Sequence, residues 1–360
     1  MRIRELRVEN LRNISSASVS LGPGLNLFLG ANGAGKTSLL EAAFLLSHAR
    51  SFRSGKRESL VRRGAESLSV FAVVESGSRG ERRVGLRRDA DKWVGRVDGR
   101  NTEGLVELLR EIAVVCFEPG SHGLIGGPGE ERRRFLDWAL FHVEQEFMDV
   151  ARRYRRALKQ RNSLLRRGVS GRDLDPWDAA LADAGEAWQA QRERYVAAWF
   201  PEVETLCRQF LPELGACSLR LSSGWAAGAR LCDVLLERRE RDQVRGHTGA
   251  GPHRADWSIS FQEAPDREHL SRGQEKLCAM ACILAQARLF ATQTGEWPVI
   301  CLDDLSSELD AVHEAAVLSW LRAQGAQILL TGTDAPRSAL PDDMERMTFH
   351  VEQGQFSALL

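Results

Sequence analysis

The stretch "GANGAGKTS", residues 30–38, decides the fold. Gly30 is followed by four residues and then by Gly35, Lys36 and Thr37, which completes the spacing of a phosphate-binding loop. The flanks give the pattern weight. "GLNLFLG" before it reads as an apolar strand and "SLLEAAFLLSHA" after it as a helix. In that setting Gly30, Gly33 and Gly35 let backbone N–H groups converge on phosphate oxygens. Ala31, Asn32, Ala34 and Ser38 complete the cradle, and the helix N-terminus adds favourable partial charge. Lys36 then reaches the β- and γ-phosphates of ATP, and Thr37 ligates Mg2+. The bland alternative is a glycine-rich turn with a chance lysine; a strand and a helix on either side argue against it.

A phosphate loop needs a carboxylate for its metal. The candidate lies in "WPVICLDDLSSELD", residues 297–310. Residues 299–302 read as a strand buried on both faces, so a parallel one. Asp303 and Asp304 follow at its C-terminal end, where ligands bind in open α/β sheets. Two adjacent carboxylates after a buried strand are costly unless a cation meets them. Asp303 is expected to hold Mg2+ directly or through bound water, and Asp304 to polarise the attacking water. As a plain alternative, the pair caps and turns into the next helix. Lys36 and Asp303 stand 267 residues apart, so something substantial is inserted between the two halves of the site.

Composition sets the frame. With 360 residues, the chain has room for two or three domains or one large core with an insertion. Its 43% hydrophobic and 27% charged content is that of an ordinary folded protein. Formal net charge is zero, which argues against a coat of positive charge but permits a local basic face. "MRIRELRVENLRN" is charged throughout and is no signal peptide, and no apolar run reaches spanning length. Seven cysteines form no CxxC pair, so a reducing, cytoplasmic setting without structural zinc is expected.

Outward from the loop, alternation at Ile3, Leu6 and Val8, then at Ala17, Val19 and Leu21, predicts a small antiparallel element ahead of the central strand. Residues 68–98 alternate likewise between Gly and Asp turns and predict an antiparallel sheet. A helix, a strand at 113–117, a loop at 118–129 and a helix opening near Glu130 follow. Residues 130–210 are helical in pattern, and "ARRYRRALKQRNSLLRRG" within them carries eight basic residues and no acid. One helical face would present Arg152, Arg156, Lys159 and Arg166; with Arg132, Arg133 and Arg161 these are candidate contacts to a nucleic-acid backbone. A solvated face balanced by the acids of "DLDPWDAALADAGEAW" is the alternative.

One polar hexamer remains, "SRGQEK" at 271–276, set before the apolar "LCAMACILAQARLF". Locally, Ser271 is an N-cap and Gln274 its capping-box partner.

Taken in order, the phosphate loop, "LSRGQEK" and "LDDLSSELD" resemble the ABC-type ATPase heads of the SMC group. Further stretches bring the chain closer to the RecF family of bacterial recombination mediators: "RSFRSG" (50–55), "GGPGEERRRFLDWALFH" (126–142), "LKQRNSLLRRG" (158–168) and "TGAGPHRADW" (248–257). The resemblance runs the length of the chain and implies an α/β P-loop head with an inserted, mainly helical second domain and no long coiled coil. Eighty residues at 1.5 Å rise span only about 120 Å even if wholly helical. The implied division is an N-terminal head part at 1–125, a basic helical domain at 126–230 and a C-terminal head part at 231–360.

The resemblance also implies roles. Ser271 and Gly273, flanked by Arg272 and Gln274, would cap the γ-phosphate held by a second copy, so that two heads enclose two ATP molecules. Asp310 would lie across that dimer. The family binds double-stranded, gapped or junction DNA, works with RecR and RecO to help load RecA, supports SOS induction, and hydrolyses ATP slowly with DNA stimulation. A nucleoid-associated cytoplasmic protein follows. The sequence departs from the usual head in places: Thr331 or Thr333 stands where a histidine is usual, Asp304 replaces a glutamate, Glu118 stands in the region of a missing glutamine, and His253 has either a structural role or one near ligand. An ABC-type subunit of a nuclease or of a transporter is the competing reading.

Overall fold

The computed structural model describes residues 1–53, 60–89, 92–169, 171–336 and 345–359; Ser54 and Gly55 of "RSFRSG" fall outside them. In chain order, β1 (Arg2–Leu11), β2 (Ile14–Ser20) and β3 (Leu25–Leu29) lead through the phosphate loop to α1 (Lys36–His48). Then come β4 (Ser67–Ser76), β5 (Gly80–Asp89), β6 (Lys92–Val97), β7 (Arg100–Asn101), α2 (Leu105–Leu109) and β8 (Val114–Phe117). The helical stretch comprises α3 (Gly123–Gly126), α4 (Gly129–Val143), α5 (Phe147–Arg166) and α6 (Asp175–Phe210). After it run β9 (Cys217–Ser222), α7 (Leu231–Glu237), α8 (Arg239–Arg245), β10 (Asp256–Phe261) and α9 (Arg272–Thr294). The chain closes with β11 (Val299–Leu302), α10 (Leu305–Glu308), α11 (Ala311–Arg322), β12 (Ile328–Gly332), β13 (Arg346–Glu352) and β14 (Gln355–Leu359).

Two compact units result: Met1–Ser121 with Ala279–Leu360, and His122–Cys278. In the first, α1 lies between two sheets. One is antiparallel, in the order β2-β1-β4-β5-β6-β7; the other runs β14-β13-β3-β12-β11-β8, parallel from β13 to β8. The alternation at the start of the chain sets the register: Leu6 stands opposite Val19 and Val8 opposite Ala17. The other edge of β1 takes up β4, with Leu6 opposite Ala72, so both expected antiparallel elements are one sheet. Apolar residues from this sheet, from α1 and from the parallel strands form one core. A helix apolar all round is stable only when covered on both sides, and "LLEAAFLL" meets that condition.

The parallel sheet is what assembles the site. β12 lies between β3 and β11, so the C-terminal ends of three strands distant in sequence lie side by side. Phe28 is in register with Thr331, and Leu330 with Leu302. Gly30 leaves β3 hard against β13: a Cβ there would stand 2.1 Å from the Val351 carbonyl oxygen. Its lack of a side chain is thus a packing requirement as well as a phosphate-loop feature.

The helical unit extends to Cys278, beyond the boundary at 230 that the sequence suggested. Buried arginines explain the difference. Arg161 on α5 has no exposed surface; it donates to Asp178 on α6 at 2.6 Å and to Asp242 on α8 at 2.7 Å. Arg132 on α4 forks onto both carboxylate oxygens of Asp256 at 2.7 and 2.9 Å. Partners from beyond residue 230 therefore neutralise charges buried before it. Removing one member of such a pair costs about 3–5 kcal/mol, because the remaining charge stays buried. Arg161→Ala is expected to lower unfolding stability by about that much in chemical denaturation.

α9 is long and apolar enough to cross a membrane by length and composition, which the count of apolar runs did not foresee. Its side chains from Leu277 to Leu284 are buried in the fold, which marks it as a core helix.

Candidate nucleotide-binding site

Thr37 and Asp303, 266 residues apart, are in direct contact: the Thr37 hydroxyl donates to Asp303 Oδ1 at 2.8 Å. The Thr331 hydroxyl donates to the same oxygen at 2.7 Å and accepts from the Asp304 N–H at 3.0 Å. Asp304 turns out of the strand in the left-handed region, with φ 53°. Asp303 is only 4% exposed. Burial pushes its carboxyl above the usual range even though both hydroxyls and nearby Arg53 pull it down.

The sign of that shift yields a prediction. A carboxyl raised in the folded state costs no stability below its unfolded pKa; the cost grows as pH rises through that value and is complete above the folded pKa. At neutral pH ionised Asp303 therefore destabilises the nucleotide-free chain. Asp303→Asn keeps an oxygen for both threonines. It is expected to raise the melting temperature at pH 7, with the gain shrinking in acid, while ATP hydrolysis is lost.

Lys36 is mostly buried and donates to the carbonyls of Gly30 at 2.5 Å and Ala31 at 3.0 Å. Burial lowers its pKa, against the pull of Asp304 and Asp303. Gly33 and Gly35 have φ of 80° and 117°, conformations that side chains disfavour, and so shape the loop. Around the loop is a cavity of about 250 Å³ that Asn32, Ala34, Ser38, Asp303, Asp304 and Thr331 also line.

Three cavity residues carry no role in the sequence reading: Arg12, Asn13 and Arg53. Asn13, in the β1–β2 turn, braces the loop by donating to the Gly33 carbonyl at 2.8 Å and accepting from Ser38 at 3.1 Å. Arg12 forks onto Glu41 at 3.0 and 2.8 Å, and Ser51 also donates to Glu41. A signal was available. Glu41 is the one acid in the apolar helix, it is wholly buried, and such a carboxylate requires a cationic partner. Of the two threonines weighed for the missing histidine, Thr331 is at the site, whereas Thr333 pairs with Asp334. Glu118 closes its own turn, accepting from Gly120 N–H at 2.7 Å, and does not line the cavity.

In the second unit, "SRGQEK" forms the reciprocal box. Ser271 N–H donates to Gln274 Oε1 at 3.0 Å, and Gln274 N–H to Ser271 Oγ at 3.2 Å. Capping uses a lone pair of the hydroxyl and leaves its O–H to donate elsewhere. Ser271, Arg272 and Gly273 are exposed. A Cβ on Gly273 would meet only Ser271 Oγ, at 3.9 Å, so the backbone there is open to close approach. Asp310, in the first unit, caps α11 by accepting from Val312 and His313 N–H, both at 3.0 Å. Those bonds and the His313 ring hold its carboxyl below the usual range.

The basic residues divide. Arg132 and Arg161, expected at a nucleic-acid surface, are buried and neutralised as described; this corrects the sequence reading, which could not see the acids that face them. Arg133 is half-buried and donates to the Ala255 carbonyl at 2.8 Å. Arg152, Arg156, Lys159 and Arg166 are exposed on α5 as the helical spacing predicts. Arg152 leans on Asp149 at 3.5 Å. His253 is structural: Nε2 meets the Thr248 carbonyl at 3.1 Å and Nδ1 the Tyr154 hydroxyl at 2.6 Å. Burial lowers its pKa to about 4, so the ring is neutral, donating through Nε2 and accepting at Nδ1.

Known proteins share this architecture. The family model of the RecF/RecN/SMC N terminal domain matches residues 2–355. The DNA replication and repair protein RecF of Stenotrophomonas maltophilia (strain R551-3) is 49% identical over the full length of both chains. That of Edwardsiella ictaluri (strain 93-146) is 35% identical over 99% of this chain and all of its own. A solved structure of the recombination mediator protein RecF with ATP superposes with a TM-score of 0.90 at 27% identity, covering 99% of this chain and 97% of the other. An Smc head bound to the C-winged helix domain of ScpA shares the fold, with a TM-score of 0.61 at 14% identity over 100% and 97% of the two chains. With a model matched from end to end and relatives of this identity, the chain belongs to the RecF family within the RecF/RecN/SMC group.

Proposed function

We propose that the chain is an ATP-gated DNA-binding protein of recombinational repair. The observation that carries the reading is the Thr37–Asp303–Thr331 hydrogen-bonded set, which joins the first turn of α1 to the C-terminal ends of β11 and β12. A threonine hydroxyl beside a carboxylate is a pair of hard oxygen donors, which suits Mg2+. Burial still outweighs the two hydroxyls and nearby Arg53 at Asp303, so a divalent ion carried in with ATP relieves the remaining cost of its charge. Bound Mg2+ would neutralise charge on the β- and γ-phosphates. Lys36 would hold the same phosphates, and Asp304 would orient the attacking water.

Ser271, Gly273 and their neighbours Arg272 and Gln274 complete the site on a second copy, with Asp310 at the same interface. Each composite site then needs both chains. ATP closes the dimer and slow, DNA-stimulated hydrolysis opens it, so nucleotide controls residence on double-stranded, gapped or junction DNA. The α5 face of Arg152, Arg156, Lys159 and Arg166 supplies backbone contacts. Partnership with RecR and RecO in loading RecA, support of SOS induction, and a cytoplasmic, nucleoid-associated location belong to the same reading. It draws on solved RecF structures described as the recombination mediator of the RecFOR pathway.

Sedimentation of the purified chain with and without ATP and a gapped duplex tests the proposal. The expected result is monomer or weak dimer alone, a dimer with ATP, and DNA carried only with the ATP form. A sedimentation coefficient indifferent to ATP would sink the gating.

A further inference from the structure

The loop at residues 248–255 is held by an unusual amount of buried polar structure. Thr248 takes a hydrogen bond from Arg161 at 2.9 Å, and its N–H and hydroxyl donate to Asn162 at 2.8 and 2.7 Å. Arg192 donates to the Pro252 carbonyl at 2.8 Å and Arg133 to the Ala255 carbonyl at 2.8 Å. Tyr154 engages His253 and packs so closely on Gly251 that a Cβ there would lie 2.3 Å from its hydroxyl. Side chains from α4, α5 and α6 thus fix one short segment. Within that segment, Arg254 is the charged residue left exposed, and its guanidinium has no ion pair among the described residues.

Arg254 borders an open recess of about 530 Å³ lined also by Arg245, His247 and Gly249, with no carboxylate among them. The nearby acid, Asp242, is buried and committed to Arg161 and to the Gly249 N–H at 3.0 Å. The segment that lines the recess adjoins the C-terminal end of α5, where Arg166 lies. Gln243 on α8 donates to the Gly168 carbonyl at 3.1 Å, just past the end of α5, and the stem of Arg166 lies against Gly246.

We infer that Arg254 and Arg245 form a phosphate clasp that extends the α5 face, gripping the DNA backbone at a fixed point. This rests on the DNA-binding reading above and adds the residues that fix its register. Side chains on a rigidly held support orient a ligand more sharply than those on a mobile one, and backbone phosphates are what position a protein on a duplex. A clasp of this kind carries charge but no base readout, so its effect is independent of sequence.

The test is duplex binding by the full chain with ATP across a salt series. The double variant Arg245→Ala/Arg254→Ala is expected to bind more weakly on two unrelated duplexes alike, with a log–log salt slope shallower by about two. Arg254→Lys alone keeps the slope. ATP affinity and melting temperature stay unchanged, since both side chains are exposed. Wild-type binding with an unaltered slope in the double variant overturns the clasp and leaves the DNA reading standing. No salt-dependent duplex binding by the wild type overturns both. A fall in melting temperature alongside the DNA loss assigns the two arginines to the fold and overturns the clasp as well.

Discussion

Replacing Lys36 by methionine is expected to abolish ATP binding while leaving the chain folded. Methionine matches the stem in length and loses only the ammonium. The hydrogen bonds given up in the nucleotide-free state go to the Gly30 and Ala31 carbonyls, on a loop that borders an open cavity, so water can replace them. The ammonium's desolvation, which lowers its pKa, disappears with the substitution and offsets part of that loss. On phosphate the balance differs. Charged hydrogen bonds of this kind contribute about 1.5–3 kcal/mol each, so two amount to roughly 3–6 kcal/mol. At 1.4 kcal/mol per decade that is about a hundredfold or more in affinity. Equilibrium dialysis against labelled ATP, with circular dichroism for the fold, checks it. Near-normal ATP affinity in Lys36→Met would mean that the loop does not hold the phosphates.

How much of this was legible beforehand depends on the range over which each signal acts. The phosphate loop and the strand before Asp303 are local: a glycine spacing, a run of buried residues, two adjacent acids. Their meeting is not local, yet it followed from the ends of parallel strands being shared ground. The same logic brought Thr331 to the site, because β12 separates β3 from β11.

Periodicity was a poorer guide wherever a partner had to be named. It gave β1, β2 and the strands of 68–98, but not that β1 and β4 pair. It placed Arg152, Arg156, Lys159 and Arg166 on one face, while the local abundance of arginine added Arg132 and Arg161 as candidates. Those two face acids at 256 and at 178 and 242, and no helical spacing reports a carboxylate that arrives from another helix or strand. Arg12, Asn13 and Arg53 were missed for a similar reason. Buried Glu41 called for a cationic partner without naming it; that Arg12 and Asn13 arrive from the β1–β2 turn, and Arg53 from beyond α1, shows only once they line the cavity.

The hexamer at 271–276 shows a different limit. Its local reading is present in the structure: the capping box is formed, and Gln274 also donates to Glu213 at 3.1 Å. What the cap does not explain is exposure, since Ser271, Arg272 and Gly273 face solvent with a hydroxyl proton and a bare backbone to offer.

Ser271→Arg is therefore expected to separate the functions. Loss of the cap costs about 1 kcal/mol, too little to unfold the chain. ATP binding by a single chain should be unchanged, whereas the ATP-dependent dimer and hydrolysis are lost, because a bulky cation replaces the hydroxyl at the surface that a second copy must approach. The stronger test mixes this variant with Lys36→Met. If Ser271 serves the phosphate held by its own chain, neither variant has a working site and the mixture is inactive. If it serves the partner's, a mixed dimer joins the intact Lys36 of one chain to the intact Ser271 of the other, and one of its two sites is whole. Hydrolysis should then reappear on mixing two inactive preparations, rising to a maximum near equal amounts. Silence at every ratio, with mixed dimers demonstrated by crosslinking, would place Ser271 in its own chain's site or outside the reaction altogether.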